Sequence, residues 1–318
     1  MVLGALAAGL VGSALQSAYA ANVKITPLGS HDGEFCGRDR AMVFEDPDGT
    51  RILYDAGFTV RGADDPRLGK IDVVLLSHVH ADHLGPAHAS EANAGECGKP
   101  SFNVKDTPNS NTVNIVVGKK AQFLVGGEQN YFFPLKVKAA GGDPSLVKVL
   151  RFGAESKVGG VRIATVPAVH TNGLDPDFLD NDLGEKLKAN GLTAYIGPPA
   201  GFVLRFTNGL VVYLSGDTGI TAEQDLVVHR YYKANMAVMN IGGTFSTGPT
   251  EAAYVINTMV KPRSVIASHA NEAATKDGKL LPNTRTAAFK KASKVPVYLP
   301  LSGKTMEFNG SGKCVAGC

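Results

Sequence analysis

The sequence predicts an α/β fold, two similar α/β halves forming a single domain over residues 21–318. Short apolar runs of strand type recur between residues 23 and 76, each closed by Gly, Asp or Pro. A second series starts near residue 161, and there the runs alternate with stretches of helical pattern. The 318 residues are 44% hydrophobic and 19% charged, with 37 Gly and 17 Pro, so a full core and many tight turns are expected. A coiled coil, a collagen-like rod and a disordered chain are excluded. The net charge of +3, from 32 Lys and Arg against 29 Asp and Glu, is small and evenly spread. Nucleic acid is therefore not an expected partner.

Taken in order, residues 1–20 (MVLGALAAGLVGSALQSAYA) carry no charge and end in Ala18-Tyr19-Ala20, the small-residue pattern that a signal peptidase cuts. The expectation is a secretory signal peptide removed after Ala20 and a periplasmic or secreted protein, although a positively charged start is missing. The alternative, an uncleaved anchor, is disfavoured by the Gly, Ala and Ser content and by Gln16, so no stable membrane insertion is expected after cleavage. Strands are expected at 23–27, 41–45, 51–54 and 71–76, and again at 161–166, 201–206, 210–214, 236–240 and 264–267. Helices are expected at 221–233 and 249–260, and a long Asn-rich loop at 92–112.

Directly after the run IDVVLL comes Ser77-His78-Val79-His80-Ala81-Asp82-His83, an HxHxDH pattern at the end of a strand. In extended chain His78 and His80 point to one side, and the turn that follows can swing Asp82 and His83 to a neighbouring point. One short loop can thus serve two metal ions. His170, Asp217 and His269 repeat the same placement, each just beyond a predicted strand. Asp55, after the strand RILY, has the same setting and suits the orienting of a ligand histidine through that ring's other N–H. His88, on an expected helix after the motif, and His229, on another, read as ordinary surface or packing residues.

Export would favour disulfides among Cys36, Cys97, Cys314 and Cys318. Three pairings are open. The similar settings of Cys36 and Cys97 and the short spacing of Cys314 and Cys318 favour 36 with 97 and 314 with 318, against four free thiols. None shows CxxC spacing, so a cysteine zinc site is not expected.

Asp55, the HxHxDH run, His170, Asp217 and His269 together resemble the five ordered motifs of the metallo-β-lactamase superfamily. The stretches HTNG, GPPAGFVLRFTNGLVVYLSGDTG and MAVMNIGGTFSTGPTEAAYVINTMVKPRSVIASHANE are similar to L-ascorbate 6-phosphate lactonase-like metal-dependent hydrolases. The resemblance covers about residues 22–300 and implies a four-layer αββα sandwich. It also implies that His78, His80 and His170 hold one divalent ion, that Asp82, His83 and His269 hold a second, and that Asp217 bridges them. Zinc suits that set, with manganese or iron as alternatives. Class B1 and B2 lactamases would carry Cys in place of Asp217, and the flavodiiron branch would carry Glu in place of His80. Near the first strand, where related hydrolases carry Gly-His-Ser, LGSHDGEFCGRDR inserts residues, so His31, Asp39 or neither fills that place.

The expected activity is hydrolysis of a lactone, ester or amide-like bond of a small molecule by a metal-bridging hydroxide, with Asp82 as a catalytic proton acceptor or relay. A phosphodiesterase using the same two metals and a non-catalytic periplasmic metal-binding protein are the alternatives. No GxSxG elbow and no Gly-rich phosphate cradle is present.

Overall fold

In the strand Val23–Pro27 the residues Val23, Ile25 and Pro27 are buried while Lys24 is exposed, the alternation that gives a sheet one face for a core. The computed structural model describes residues 21–318, so the expected signal peptide lies outside the described residues. It arranges the strands in two large sheets. The first has eight strands in the order Val147–Val149, Gln122–Val125, Val73–Leu75, Arg51–Tyr54, Met42–Glu45, Val23–Pro27, Met306–Phe308 and Cys314–Ala316. The second has seven, in the order Glu155–Val158, Val161–Pro167, Ala200–Arg205, Val211–Leu214, Met236–Asn240, Ser264–Ser268 and Val297–Tyr298.

The inner faces meet through Ile25, Phe44, Ile52, Ile163, Phe202 and Val212, all buried. The helices Asn111–Lys119 and Gln129–Ala139 cover the outer face of the first sheet through Val113, Val116 and Phe133. The helical segments Gln224–Tyr231, Pro249–Val260 and Arg285–Ala292 cover the second through Val228, Ala252, Val260 and Phe289. The result is the four-layer αββα sandwich that the resemblance implied. Among the described residues no helix is long and apolar enough to cross a membrane.

Each sheet changes from antiparallel to parallel pairing part-way across. In the first, Arg51–Tyr54 pairs in parallel with Val73–Leu75. In the second, Val211–Leu214, Met236–Asn240 and Ser264–Ser268 run parallel. Asp55, His78, Asp217 and His269 all follow the C-terminal ends of these parallel strands, where loops are free of the ladder.

The end of the chain joins its beginning: Met306–Phe308 returns to pair with Val23–Pro27 in the first sheet, covering an apolar strand that would otherwise be an open edge. Two expectations need correction. His88 is not helical. It sits in a short strand, Ala87–His88, paired with Val104–Lys105, and its Nδ1 lies 2.7 Å from Asp106 Oδ2. The 92–112 segment is not one loop either: it holds the hairpin Gly95–Glu96 with Lys99–Pro100, and its last two residues open a helix. That helix begins on Asn111 and Thr112, polar residues that read as loop. Both are buried with their donors paired, Asn111 Nδ2 donating to Gly57 O and Val60 O, and Thr112 Oγ1 to Leu84 O.

Candidate metal centre

The centre is built where the loops after the parallel strands meet. Asp55 takes a left-handed backbone (φ 44°) and its amide donates to Leu75 O, which turns its carboxylate under the HxHxDH loop. There it accepts from Ser77 N (2.8 Å), Ser77 Oγ (2.7 Å) and His83 Nδ1 (2.7 Å). A carboxylate only accepts, so His83 carries its proton on Nδ1 and leaves Nε2 facing the centre. Gly57 (φ 50°) lets the Asp55 loop approach closely, since a Cβ there would strike the carbonyl oxygen of Asp82.

Around this base the seven predicted residues converge. His78, His80 and His170 bring one nitrogen each to a common point, as do Asp82, His83 and His269 oxygen and nitrogen atoms at a second. Asp217 lies between the groups. Its Oδ2 is 4.0 Å from His78 Nε2, 3.8 Å from His170 Nε2, 3.6 Å from His83 Nε2 and 2.9 Å from His269 Nε2. Among the described residues, His78 Nε2, His83 Nε2, His269 Nε2 and Asp217 Oδ1 are buried without a hydrogen-bond partner. Orphaned buried groups are costly, and four aimed into one space fit divalent cations there.

The electrostatics agree. Burial holds the His78 ring well below its ordinary pKa, so it offers a lone pair. Burial also disfavours a charged His83, yet Asp82, Asp55 and Asp217 outweigh it and push that ring up to about 10, so without a cation Nε2 holds the proton that a bound ion would displace. Burial would raise Asp82 and Asp217, but the neighbouring imidazoles, with Arg40 for Asp82, hold both carboxyls well below the usual range. The excess of carboxylate over fixed positive charge is what a cation would neutralise.

Sequence reasoning missed Arg40, which is only 2% exposed. Its Nε and Nη2 donate to Asp82 Oδ2 at 3.0 and 2.9 Å, and Nη2 also reaches Asn271 Oδ1. Neither His31 nor Asp39 joins the centre. His31 lies against Ser30 Oγ and Gly95 O, and Asp39 accepts from Ser30 N and Cys36 N, closing its own loop. Asn172, in the HTNG stretch, was also missed: it accepts from Val79 N and donates to Gly197 O, tying the HxHxDH loop to the second sheet. His229 remains on the outer helix Gln224–Tyr231, apart from the centre.

The centre opens into a cavity of about 540 Å³ walled by Arg38, Thr171, Phe245 and Asn271. Cys36 is paired with Cys97 (Cα–Cα 4.8 Å), and their neighbours Gly37 and Gly98 line the same cavity. Cys314 is paired with Cys318 at the C-terminus.

The family described as beta-lactamase superfamily domain matches residues 39–269. A UPF0173 metal-dependent hydrolase of Cupriavidus necator is 28% identical over 272 residues, 82% of this chain and 81% of its own length. Its counterpart in Polynucleobacter asymbioticus is 26% identical over 270 residues, with the same two coverages of 82% and 81%. Among solved structures, Igni18, a metallo hydrolase from Ignicoccus hospitalis, matches with a TM-score of 0.58 at 21% identity, covering 91% of this chain and 99% of its own. That likeness is one of fold.

Proposed function

The chain belongs to the β-lactamase superfamily domain family as a metal-dependent hydrolase, and from that premise we propose that it uses two divalent ions, zinc by preference, to cleave a lactone, ester or amide-like bond of a small molecule. The observation that carries the two-ion reading is the position of Asp217 Oδ2, within 4.0 Å of the Nε2 atoms of four histidines that belong to two separate triads. His78, His80 and His170 would hold one ion, Asp82, His83 and His269 the other, with Asp217 shared. Bound there, the ions would supply a nucleophile from water near neutral pH and polarise the bond under attack.

The chain's own residues do the rest. Asp55 fixes the His83 ring, and Arg40 fixes Asp82 through Oδ2, leaving Oδ1 as the oxygen available to accept or relay a proton. Arg38 and Phe245, on opposite kinds of chemistry, give the cavity one cationic and one aromatic contact for substrate. The HTNG and GTFSTGP stretches support the lactonase-like reading within the family. Export is supported by the uncharged leader and by two disulfides, which persist in oxidising compartments.

Metal analysis of protein recovered from the periplasm, followed by assays on lactone, β-lactam, thioester and phosphodiester panels, tests the proposal. Two equivalents of metal, activity lost on chelation and regained with zinc, and cleavage of a carbonyl substrate are expected. Activity surviving full metal removal would sink it, and cleavage confined to phosphodiesters would replace it with that alternative. Asp217→Ala should retain about one equivalent, since three imidazoles remain for the first ion; two tightly held equivalents would show that Asp217 is not shared.

A further inference from the structure

The small net charge of the chain conceals a concentration of cations that only folding assembles. Where the chain enters the parallel strands Met236–Asn240 and Ser264–Ser268, the two entering segments wall a pocket of about 420 Å³. His229, Arg230, Lys233, Lys261 and Arg263 line it, and no Asp or Glu does. The metal-facing His269 follows the other end of Ser264–Ser268, so the pocket and the metal centre stand at opposite ends of the sheet.

Four of these side chains carry a fixed charge, those of Arg230, Lys233, Lys261 and Arg263. Arg230 is answered by Asp225, whose Oδ2 lies 2.6 Å from its Nη2. Among the described residues Lys233, Lys261 and Arg263 make no ion pair. Cations are favoured past a helix C-terminus, and the helical segments Gln224–Tyr231 and Pro249–Val260 both end here. Each end offsets about half a charge, which leaves about two positive charges uncompensated. The helix ends therefore account for part of the cluster and not for its excess.

The backbone points the same way. Lys233 (φ 58°) and Lys261 (φ 51°) take left-handed backbone just past the two helix ends, where glycine or asparagine is favoured. Two such positions thus carry long cations, and both open onto one pocket. Its frame is fixed: Arg263 N donates to Asn235 O (2.8 Å), Asn235 Oδ1 accepts from Val211 N, and Asn235 Nδ2 donates to Gly310 O. A cleft lined by one sign of charge on a fixed frame concentrates the counter-ion.

We propose that this pocket binds a phosphoryl dianion, its oxygens taken by Lys233, Lys261 and Arg263. A dianion matches the two uncompensated charges, whereas a carboxylate would neutralise only one of them. A free phosphate monoester and a phosphomonoester lipid headgroup offer this same chemistry. The site is independent of which bond the metal centre cleaves.

The test is an amide NMR titration of the metal-loaded, disulfide-intact protein, at fixed ionic strength, with glycerol 3-phosphate and with acetate. The phosphate ester should give saturable shifts at Lys233, Ala234, Lys261 and Arg263, and acetate should bind there about tenfold more weakly. Lys233→Asn and Lys261→Asn suit the left-handed backbone, so the fold and metal content should be kept while each weakens the ester about tenfold, the loss of one charge-assisted contact. Co-sedimentation with phosphatidylcholine vesicles, with and without phosphatidic acid, separates the sources. Retention on the acidic vesicles alone assigns the lipid headgroup, and no retention assigns the free ester. Ester shifts confined to the surroundings of His80 and His170 would mean that the phosphate goes to the metal centre. That result, an equal response to acetate, binding unaltered in both variants, or no saturable shift would each overturn the proposal.

Discussion

Arg40 holds Asp82 with two donors and Asn271 with one of them, so a single buried guanidinium orients a metal-facing carboxylate and the wall beside it. Charge-assisted hydrogen bonds of this kind are short and directional, and removing one partner strands the other. Arg40→Met should lower stability by about 3 kcal/mol and weaken the second ion more than the first, measured by denaturant unfolding and by metal titration. Equal loss of both ions would show that Arg40 acts on the fold and not on Asp82. Asp65 offers a separate test away from the centre. Burial would raise its carboxyl, but Arg67 and the amides of Arg61 and Arg67 hold it below the usual range. A carboxyl depressed on folding adds stability above its unfolded value and loses it as pH falls through the folded one. Stability should therefore drop below about pH 4, and Asp65→Asn should flatten that part of the profile while lowering the plateau at pH 7. Unfolding curves at pH 7 and pH 3 on both proteins measure it.

The elements around the centre are short and rely on ties between distant segments. Cys36 and Cys97, 61 residues apart, join the loop after the first strand to the hairpin at Gly95–Pro100, so two walls of the cavity move as one. By the loop-entropy account the bond constrains the unfolded chain by roughly 4 kcal/mol. The double variant Cys36→Ser with Cys97→Ser should lose about that much, read from urea unfolding against the parent. A non-reduced digest should yield the linked peptides; free thiols, or a link to Cys314 or Cys318, would refute the pairing. The helix Asn111–Lys119 makes the same point without covalent help. Its polar start reads as loop in sequence, and it becomes helix because Ser110 Oγ accepts from Val113 N and Asn111 binds the Gly57 and Val60 carbonyls across the fold.

At the scale of the whole molecule, the candidate ligands come from loops of both sheets: the HxHxDH loop from the first, and His170, Asp217 and His269 from the second. Ions bound there would fasten the two layers to each other and to nothing in the unfolded chain, so binding free energy would add to folding free energy. Removing the metals by chelation should lower the melting temperature in a way that depends on the free zinc concentration, and readdition should restore it. Calorimetry over a zinc titration measures this, and a melting temperature indifferent to zinc would mean that the ions bridge no inter-sheet contact.

What the sequence determined by itself was whatever a few consecutive residues can carry. The strands from Val23 to Leu75 and from Val161 to Ser268 follow from short apolar runs closed by Gly, Asp or Pro, most of them buried on both faces, and the HxHxDH loop follows a strand end, so their placement needed no distant partner. The single histidines and aspartates beyond later strands could be named because each repeats that local setting. Tertiary structure alone decided which loops would meet. Arg40 and Asn271 stand 231 positions apart, and nothing near either residue announces the other. The return of Met306–Phe308 to the first strand depends on an edge that exists only once Val23–Pro27 has paired with Met42–Glu45. Side-chain alternation is set by the backbone of one strand, whereas the meeting of loops is set by sheet order and register, which are properties of pairings across the whole chain.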